Sequence, residues 1–208
     1  MLLLVQSSPT SLERDHGFHP NLGVLSGPRR FYRNVEGWPW AADNDAFLAW
    51  DEDKYRKMLT EIPLIPGCIF VTAPDIVGDA EATLDRFWQW LPELKGLPVA
   101  FVAQDGIENT DVPWDEFSCL FVGGSTEFKM GNVAEHYAHE AKDRGKWLHM
   151  GRVNTARRIR YAQSLGCDSI DGTKFSMFRH TYLDASLEHM RGGRQMGFGS
   201  ELRLGRTA

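Results

Sequence analysis

The chain has 208 residues, 42 % of them apolar and 25 % charged, with a formal net charge of −5. A chain of this length buries roughly 70 % of the surface it exposes when unfolded, so a core forms without covalent staples. The three cysteines (Cys68, Cys119, Cys167) lie far apart, which excludes a disulfide scaffold and a four-cysteine zinc site, and no apolar run approaches the ~20 residues of a membrane-spanning helix.

The opening run Met1-Leu2-Leu3-Leu4-Val5 is too short for the apolar region of a signal peptide and has no basic start, so it reads as a buried strand of a cytoplasmic protein. Further strand-length runs follow at Leu22–Leu25, Trp38–Ala42, Cys68–Thr72, Pro98–Ala103, Cys119–Val122, Trp147–Met150 and Ser169–Ile170. They are continuous rather than alternating, as in a parallel sheet covered on both faces. Helical patterns lie between the later runs. One starts at the cap residue Asp79 and continues through Leu91; others cover Thr126–Arg144 and Thr155–Ser164, with Gly145 and Gly166 just beyond them. Asp53–Ile62 and Tyr182–Met190 also read as helices. The connections Ser7–Asn21 and Gly27–Gly37 are short and rich in Gly, Pro and Arg, unlike full crossover helices. Eight strands alternating with helices predict an α/β fold: a reduced or irregular (β/α)8 TIM-like barrel, as a single domain over residues 1–208. An open doubly wound sheet is the alternative.

Charge is unevenly spread. Residues 1–149 carry 13 Lys and Arg against 23 Asp and Glu; residues 150–208 carry 10 against 5, and nine of those ten are arginine. Arginine is the phosphate-binding cation. The C-terminal third, 150–208, which includes a basic C-terminal segment of about 176–208, therefore reads either as a nucleic-acid face or as a basic helix surface balancing an acidic body.

Chemistry in a parallel barrel gathers where the strands end. There the sequence places Asp43-Asn44-Asp45, Asp75, Gln104-Asp105-Gly106, Gly123-Gly124, Met150-Gly151-Arg152 and Asp171-Gly172-Thr173-Lys174. Each is also an ordinary turn composition; it is the set at one face that suggests a site. Two carboxylates flanking a glycosidic bond serve as nucleophile and general acid/base. A third carboxylate and an amide match the hydrogen-bonding edge of a purine, glycines allow close backbone approach, and a methionine covers a ring face.

In this order, the motifs resemble the tRNA-guanine transglycosylase superfamily, and most of all its phage and bacterial DNA branch, which inserts 7-deazaguanine bases into DNA. The likeness covers roughly residues 38–175. Asp43-Asn44-Asp45-Ala46-Phe47 resembles the family's Asp-Ser-Gly-Gly-Phe, which implies Asp43 as general acid/base. The resemblance further implies Asp75, Gln104, Gly123, Gly124 and Met150 as base-binding residues. Gly166-Cys167-Asp168-Ser169-Ile170-Asp171 resembles Gly-Val-Asp-Met-Phe-Asp, whose second Asp is the nucleophile, which implies Asp171. Asp168, three residues earlier, points to the other side of a strand. The family's cysteine-rich zinc subdomain has no counterpart, so DNA rather than tRNA is the implied partner, with a free 7-deazaguanine base such as preQ0 as co-substrate and no metal or other cofactor. Arg152, Arg157, Arg158, Arg160, Lys174 and Arg179 are the expected phosphate contacts. Such an enzyme is expected in the cytoplasm, including a host cytoplasm if phage-encoded. A base-releasing N-glycosylase on the same scaffold and a noncatalytic DNA-binding subunit remain as alternatives.

Three other features stand apart. His136 and His139 sit at i, i+3 beside Glu135 and Glu140 but lack a third ligand at ligand spacing, as on a solvated helix face. Gly193–Gly199 has no strand–helix context for a dinucleotide loop. Arg29-Arg30-Phe31-Tyr32-Arg33 mixes basic and aromatic residues, a pattern that either grips single-stranded nucleic acid or forms a surface loop with packed rings.

Overall fold

A computed structural model of the protein describes residues 1–48, 50–177, 183–188 and 190. Eight parallel strands close into one barrel in chain order: β1 (Leu2–Val5), β2 (Leu22–Ser26), β3 (Trp40–Ala42), β4 (Cys68–Thr72), β5 (Val99–Ala103), β6 (Cys119–Val122), β7 (Trp147–Met150) and β8 (Ser169–Asp171). The closing pair sets Leu4 of β1 beside Asp171 of β8. This is a single-domain, TIM-like α/β barrel, and the open sheet is excluded.

The irregularity lies in the crossovers. Helix α1 (Pro9–His16) occupies the first connection, where the composition argued against a full crossover helix. Its eight residues form because Ser8 caps it, accepting from Ser11 N at 3.2 Å, with proline at the first position. The β2–β3 connection is a loop closed by the bridge between Gly27 and Arg30. Helix α2 (Glu52–Glu61) follows β3, and α3 (Ala80–Leu94) follows β4; Asp79 caps α3, accepting from Ala82 N at 2.9 Å. Only two short 3-10 turns join β5 to β6. The single helix expected over Thr126–Arg144 is two, α4 (Thr126–Lys129) and α5 (Asn132–Asp143). The chain breaks at Gly131, whose extended backbone caps α5 and where a Cβ would lie 3.1 Å from the Glu127 carbonyl. Helix α6 (Ala156–Ser164) follows β7, capped by Thr155, and α7 (Thr173–Met177) follows β8. The expected Tyr182–Met190 helix is described at 183–188 and 190, where 184–188 are helical. Most of the basic segment 176–208, including Arg179 and the glycine-rich run 192–200, lies outside the described residues.

Strand side chains alternate between the barrel interior and the helix layer. Leu4, Leu25, Ala41, Phe70, Ala100 and Cys119 fill the interior. Leu3, Val24, Val71, Phe101, Leu120, Leu148 and Ile170 pack outward with Phe87, Ala138 and Ile159 of the helices. Beneath the mouth, the rings of Phe70, Phe121 and His149 form a plug, with centroids 4.5 to 6.2 Å apart. The carboxylates above thus sit on a floor of two phenyl rings and one imidazole.

Phe70 is fully buried. Phe70→Ala should cost about 3–5 kcal/mol, read as a lowered urea midpoint with unchanged slope; a loss under about 1 kcal/mol would mean that the interior collapses freely around the gap.

Candidate active site

Because all strands run the same way, their C-terminal ends meet at one mouth. Parity then selects what points in: Asp43, Thr72, Val102, Gln104, Phe121, Gly123, Gly151 and Asp171 follow the interior positions of their strands and line one cleft, joined by Asn44, Phe47, Asp75, Val77, Gly124 and Arg152 from the loops. Seven residues expected from the sequence are thus brought together: Asp43, Asp75, Gln104, Gly123, Gly124, Arg152 and Asp171.

Asp75 and Gln104 form the polar wall. Gln104 Nε2 donates to Asp75 Oδ2 at 2.6 Å, and Gln104 Oε1 accepts from Gly78 N at 2.9 Å. Asn44 Nδ2 donates to Asp75 Oδ1 and to the Ala73 carbonyl, both at 2.7 Å. Burial raises the Asp75 carboxyl, and the Asn44 and Gln104 bonds oppose it. Both its oxygens keep a lone pair for a ligand, and Gln104 keeps one N–H. The wall therefore offers acceptors beside a donor. Gly123 holds the opposite edge: a Cβ there would lie 3.0 Å from Gln104 Nε2 and 2.8 Å from Val102. At Gly124 the backbone is left-handed (φ 71°) and a Cβ would strike Asp105 and Phe128, so only glycine fits.

Asp171 is oriented from two sides. Arg152 N donates to its Oδ1 at 2.9 Å, from a left-handed backbone (φ 56°) that aims the N–H into the cleft. His149 Nε2 lies 3.3 Å from the same oxygen. Inside the barrel Trp147 Nε1 donates to Ser169 Oγ at 2.8 Å, and that hydroxyl lies 2.8 Å from His149 Nδ1. A carboxylate oxygen only accepts, so Nε2 is the donor toward Asp171, and Nδ1 shares its hydrogen bond with the Ser169 hydroxyl. Asp171 Oδ2 has no donor among the described residues, and the residue lines the cleft. Lys129, buried, donates from Nζ to the Gly151 carbonyl at 2.9 Å and so fixes the strand end that carries Arg152. Burial, with Arg152 nearby, lowers this ammonium to about 8.

Asp43 is different. The one hydrogen bond to its carboxyl among the described residues comes from Asn44 N at 2.8 Å. Burial holds its carboxyl well above the usual carboxylate range, and Asp171, Asp45 and Asp75 push it further. Asp45 is turned away from the wall: it has φ 58°, accepts from Arg29 N at 3.1 Å and sits over Gly27. Thr72 Oγ1 is buried with no partner among the described residues.

Other expected residues lie elsewhere. Met150 is 1 % exposed and packs in the outward-facing cluster; it is out of phase with His149, the interior residue of β7, so it does not face the cleft. Arg157 and Arg160 are exposed on α6 and do not line the cleft, while Arg158 bonds the Arg152 carbonyl and Thr126. Lys174 is exposed at the start of α7. Asp168 points outward, paired with Lys142 Nζ at 2.7 Å, as its spacing predicts. His149, Asn44 and Thr72 were missed by the sequence reading; strand parity marks His149 and Thr72. No cluster of three or more potential metal ligands occurs among the described residues. No helix among them is long and apolar enough to cross a membrane.

No protein-family model matches the chain, and no curated protein matches it. Among solved structures it is similar to the Bacillus subtilis YkuI protein, which has an EAL domain and whose structure is in complex with c-di-GMP and calcium. Identity is 13 %, the TM-score is 0.36, and the match covers 87 % of this chain and 46 % of that one. The chain thus spans about half the length of this neighbour.

The raised Asp43 has a consequence for stability. Its neutral form is favoured in the fold, so the stability it contributes is present at acid pH and lost as pH rises through the raised value. Asp43→Asn removes that loss. Its melting temperature should exceed the wild type's by a margin that widens from pH 5 to pH 8. An equal drop in melting temperature at both pH values would contradict the assignment.

Proposed function

We propose that the protein is a nucleic-acid base-exchange glycosyltransferase that replaces guanine in DNA with a 7-deazaguanine base. One observation carries this reading: two carboxyl groups at one cleft are driven to opposite tasks. Asp171 is gripped through Oδ1 and keeps Oδ2 open, the arrangement of a nucleophile. Asp43 is buried, has one donor and is crowded by negative charge, which favours its protonated form and so the task of an acid.

The steps balance as follows. Asp171 Oδ2 attacks C1′ of the target nucleotide as the C1′–N9 bond breaks, and Asp43 gives its proton to the departing guanine. The covalent glycosyl-enzyme then meets the incoming 7-deazaguanine. Asp43, now a carboxylate, takes the N9 proton of that base, and N9 displaces Asp171 from C1′. Two inversions give net retention, and no proton is gained or lost. The Asp75–Gln104 wall suits guanine: the carboxylate accepts from N1–H and the 2-amino group, while the Gln104 N–H meets O6. A 7-deazaguanine presents the same edge, so the wall serves both bases. A target in a duplex must leave the stack to reach the cleft. Asp45 supports the resemblance in a specific way: the position aligned with a glycine keeps the left-handed backbone that a glycine would supply.

DNA incubated with the protein and a labelled 7-deazaguanine base should acquire label in its nucleosides, read by mass spectrometry. Asp171→Ala should lower incorporation at least 10³-fold, on the scale of losing an essential nucleophile. The wild-type rate should fall as pH rises through the raised Asp43 value, and Asp43→Asn should lose that limb with most of the activity. Release of free guanine without incorporation would assign the cleft to a glycosylase instead, and undiminished incorporation by Asp171→Ala would refute the mechanism.

A further inference from the structure

A second cavity, of about 510 Å3, opens beside the cleft over β1, β2 and β8. That is within the range of small-ligand sites. Ser7, Ser8, Ser11 and Thr173 line it with hydroxyl groups, and Arg29 and Arg30 line it with positive charge. None of the described residues that line it is Asp or Glu, and the nearest carboxylates belong to Asp45 and to the adjoining mouth. A lining of hydroxyls and guanidiniums without carboxylates suits an anion with several acceptor oxygens.

The arginines are held rather than trailing. Gly27 and Arg30 exchange backbone hydrogen bonds at 2.9 and 3.1 Å, the Arg29 N–H is tied to Asp45, and Tyr32 N donates to Ser26 Oγ at 3.2 Å. Neither guanidinium forms an ion pair within about 4 Å among the described residues; Arg29 also acts on the Asp45 carboxylate, while both side chains are exposed to a ligand. A third cavity joins this groove to the cleft. It shares Asp43, Phe47, Arg152 and Asp171 with the cleft, and Leu48, Thr173 and Ser176 with the groove. Across the mouth the order is therefore base wall on β4–β6, carboxylates at β3 and β8, then the hydroxyl and arginine groove over β1 and β2. A nucleotide has the same order: base, C1′, phosphate.

We infer that this groove seats the phosphodiester adjoining the reacting nucleotide, on the opposite side of the carboxylates from the base. The inference rests on the base-exchange reading for the identity of the ligand and assigns the strand's path to Arg29 and Arg30, not to the arginines of α6. The Arg29-Arg30 pair is thus the single-strand grip that its composition suggests, with phosphate contact in place of ring stacking.

The test is binding of a fluorescent single-stranded oligonucleotide across a salt series, with inorganic phosphate as competitor. Arg29→Ala/Arg30→Ala should bind about tenfold to a hundredfold more weakly at low salt and flatten the log–log salt slope by roughly 1.4, about 0.7 per lost contact. Phosphate should compete less well against it. In the exchange assay it should raise KM and leave kcat nearly unchanged, with the wild-type melting temperature retained because both side chains are exposed. Arg157→Ala/Arg160→Ala should keep nearly the whole slope. A wild-type slope in the Arg29/Arg30 variant, with the loss in the α6 variant instead, would overturn the groove. If strand binding depends on Arg29 and Arg30 while the wild type exchanges no base, the groove stands and the base-exchange reading fails. If exchange proceeds with wild-type KM in the Arg29/Arg30 variant, that reading stands and the groove falls.

Discussion

Burial of several carboxyl groups at one strand end orders the mouth of this barrel. Asp43, Asp45, Asp75 and Asp171 gather at one end above the ring plug of Phe70, Phe121 and His149. Like charges in so little water cannot all be ionised without compensation, and each is treated differently. Asp75 receives amide donors from Asn44 and Gln104. Asp171 receives the Arg152 backbone N–H and the His149 ring. Asp45 turns to the Arg29 N–H. Asp43 is buried, receives one backbone donor and feels the field of the others, so its protonated form is favoured. The division into a gripped carboxylate and a protonated one follows from where the donors are.

The donors are held in turn by ordinary folding features. Arg152 can aim its N–H at Asp171 because its backbone is left-handed, and Lys129 pins the carbonyl just before it. Holding a buried ammonium and a left-handed arginine costs stability, which the packed interior of the barrel must offset. His149 belongs to a line of hydrogen bonds that starts at Trp147 and passes through Ser169, inside the barrel where water does not compete. Orientation of Asp171 thus depends on β7 and β8 being paired in register.

Much of this was readable from sequence because the barrel is parallel. Continuous apolar runs mark the strands, and the polar residues that end them mark the mouth, so Asp43, Asp75, Gln104 and Asp171 emerge together. What was lost depends on phase and on small local competitions. Strand parity, which correctly sends Asp168 outward, also sends Met150 outward and turns His149 in. Helix α1 forms where glycine and arginine content argued otherwise, because a serine cap followed by proline starts it. Gly131 divides α4 from α5 because its backbone is extended where helical periodicity runs straight through. Nor does net charge by segment show which arginines lie near the mouth: Arg157 and Arg160 belong to the basic C-terminal third, yet they do not line the cleft, while Arg29 and Arg30 line the neighbouring groove on a loop within the acidic part of the chain.

The central claim, that Asp171 forms the covalent bond while Asp43 manages the proton, is most directly tested by trapping the intermediate. The protein is incubated with guanine-containing DNA while released guanine is removed and no replacement base is supplied. It is then denatured, digested and mapped by mass spectrometry. The account predicts a DNA adduct on the peptide containing Asp171, discharged on adding a 7-deazaguanine base and absent from Asp171→Ala. Guanine release with no adduct, or an adduct on another residue, would contradict it.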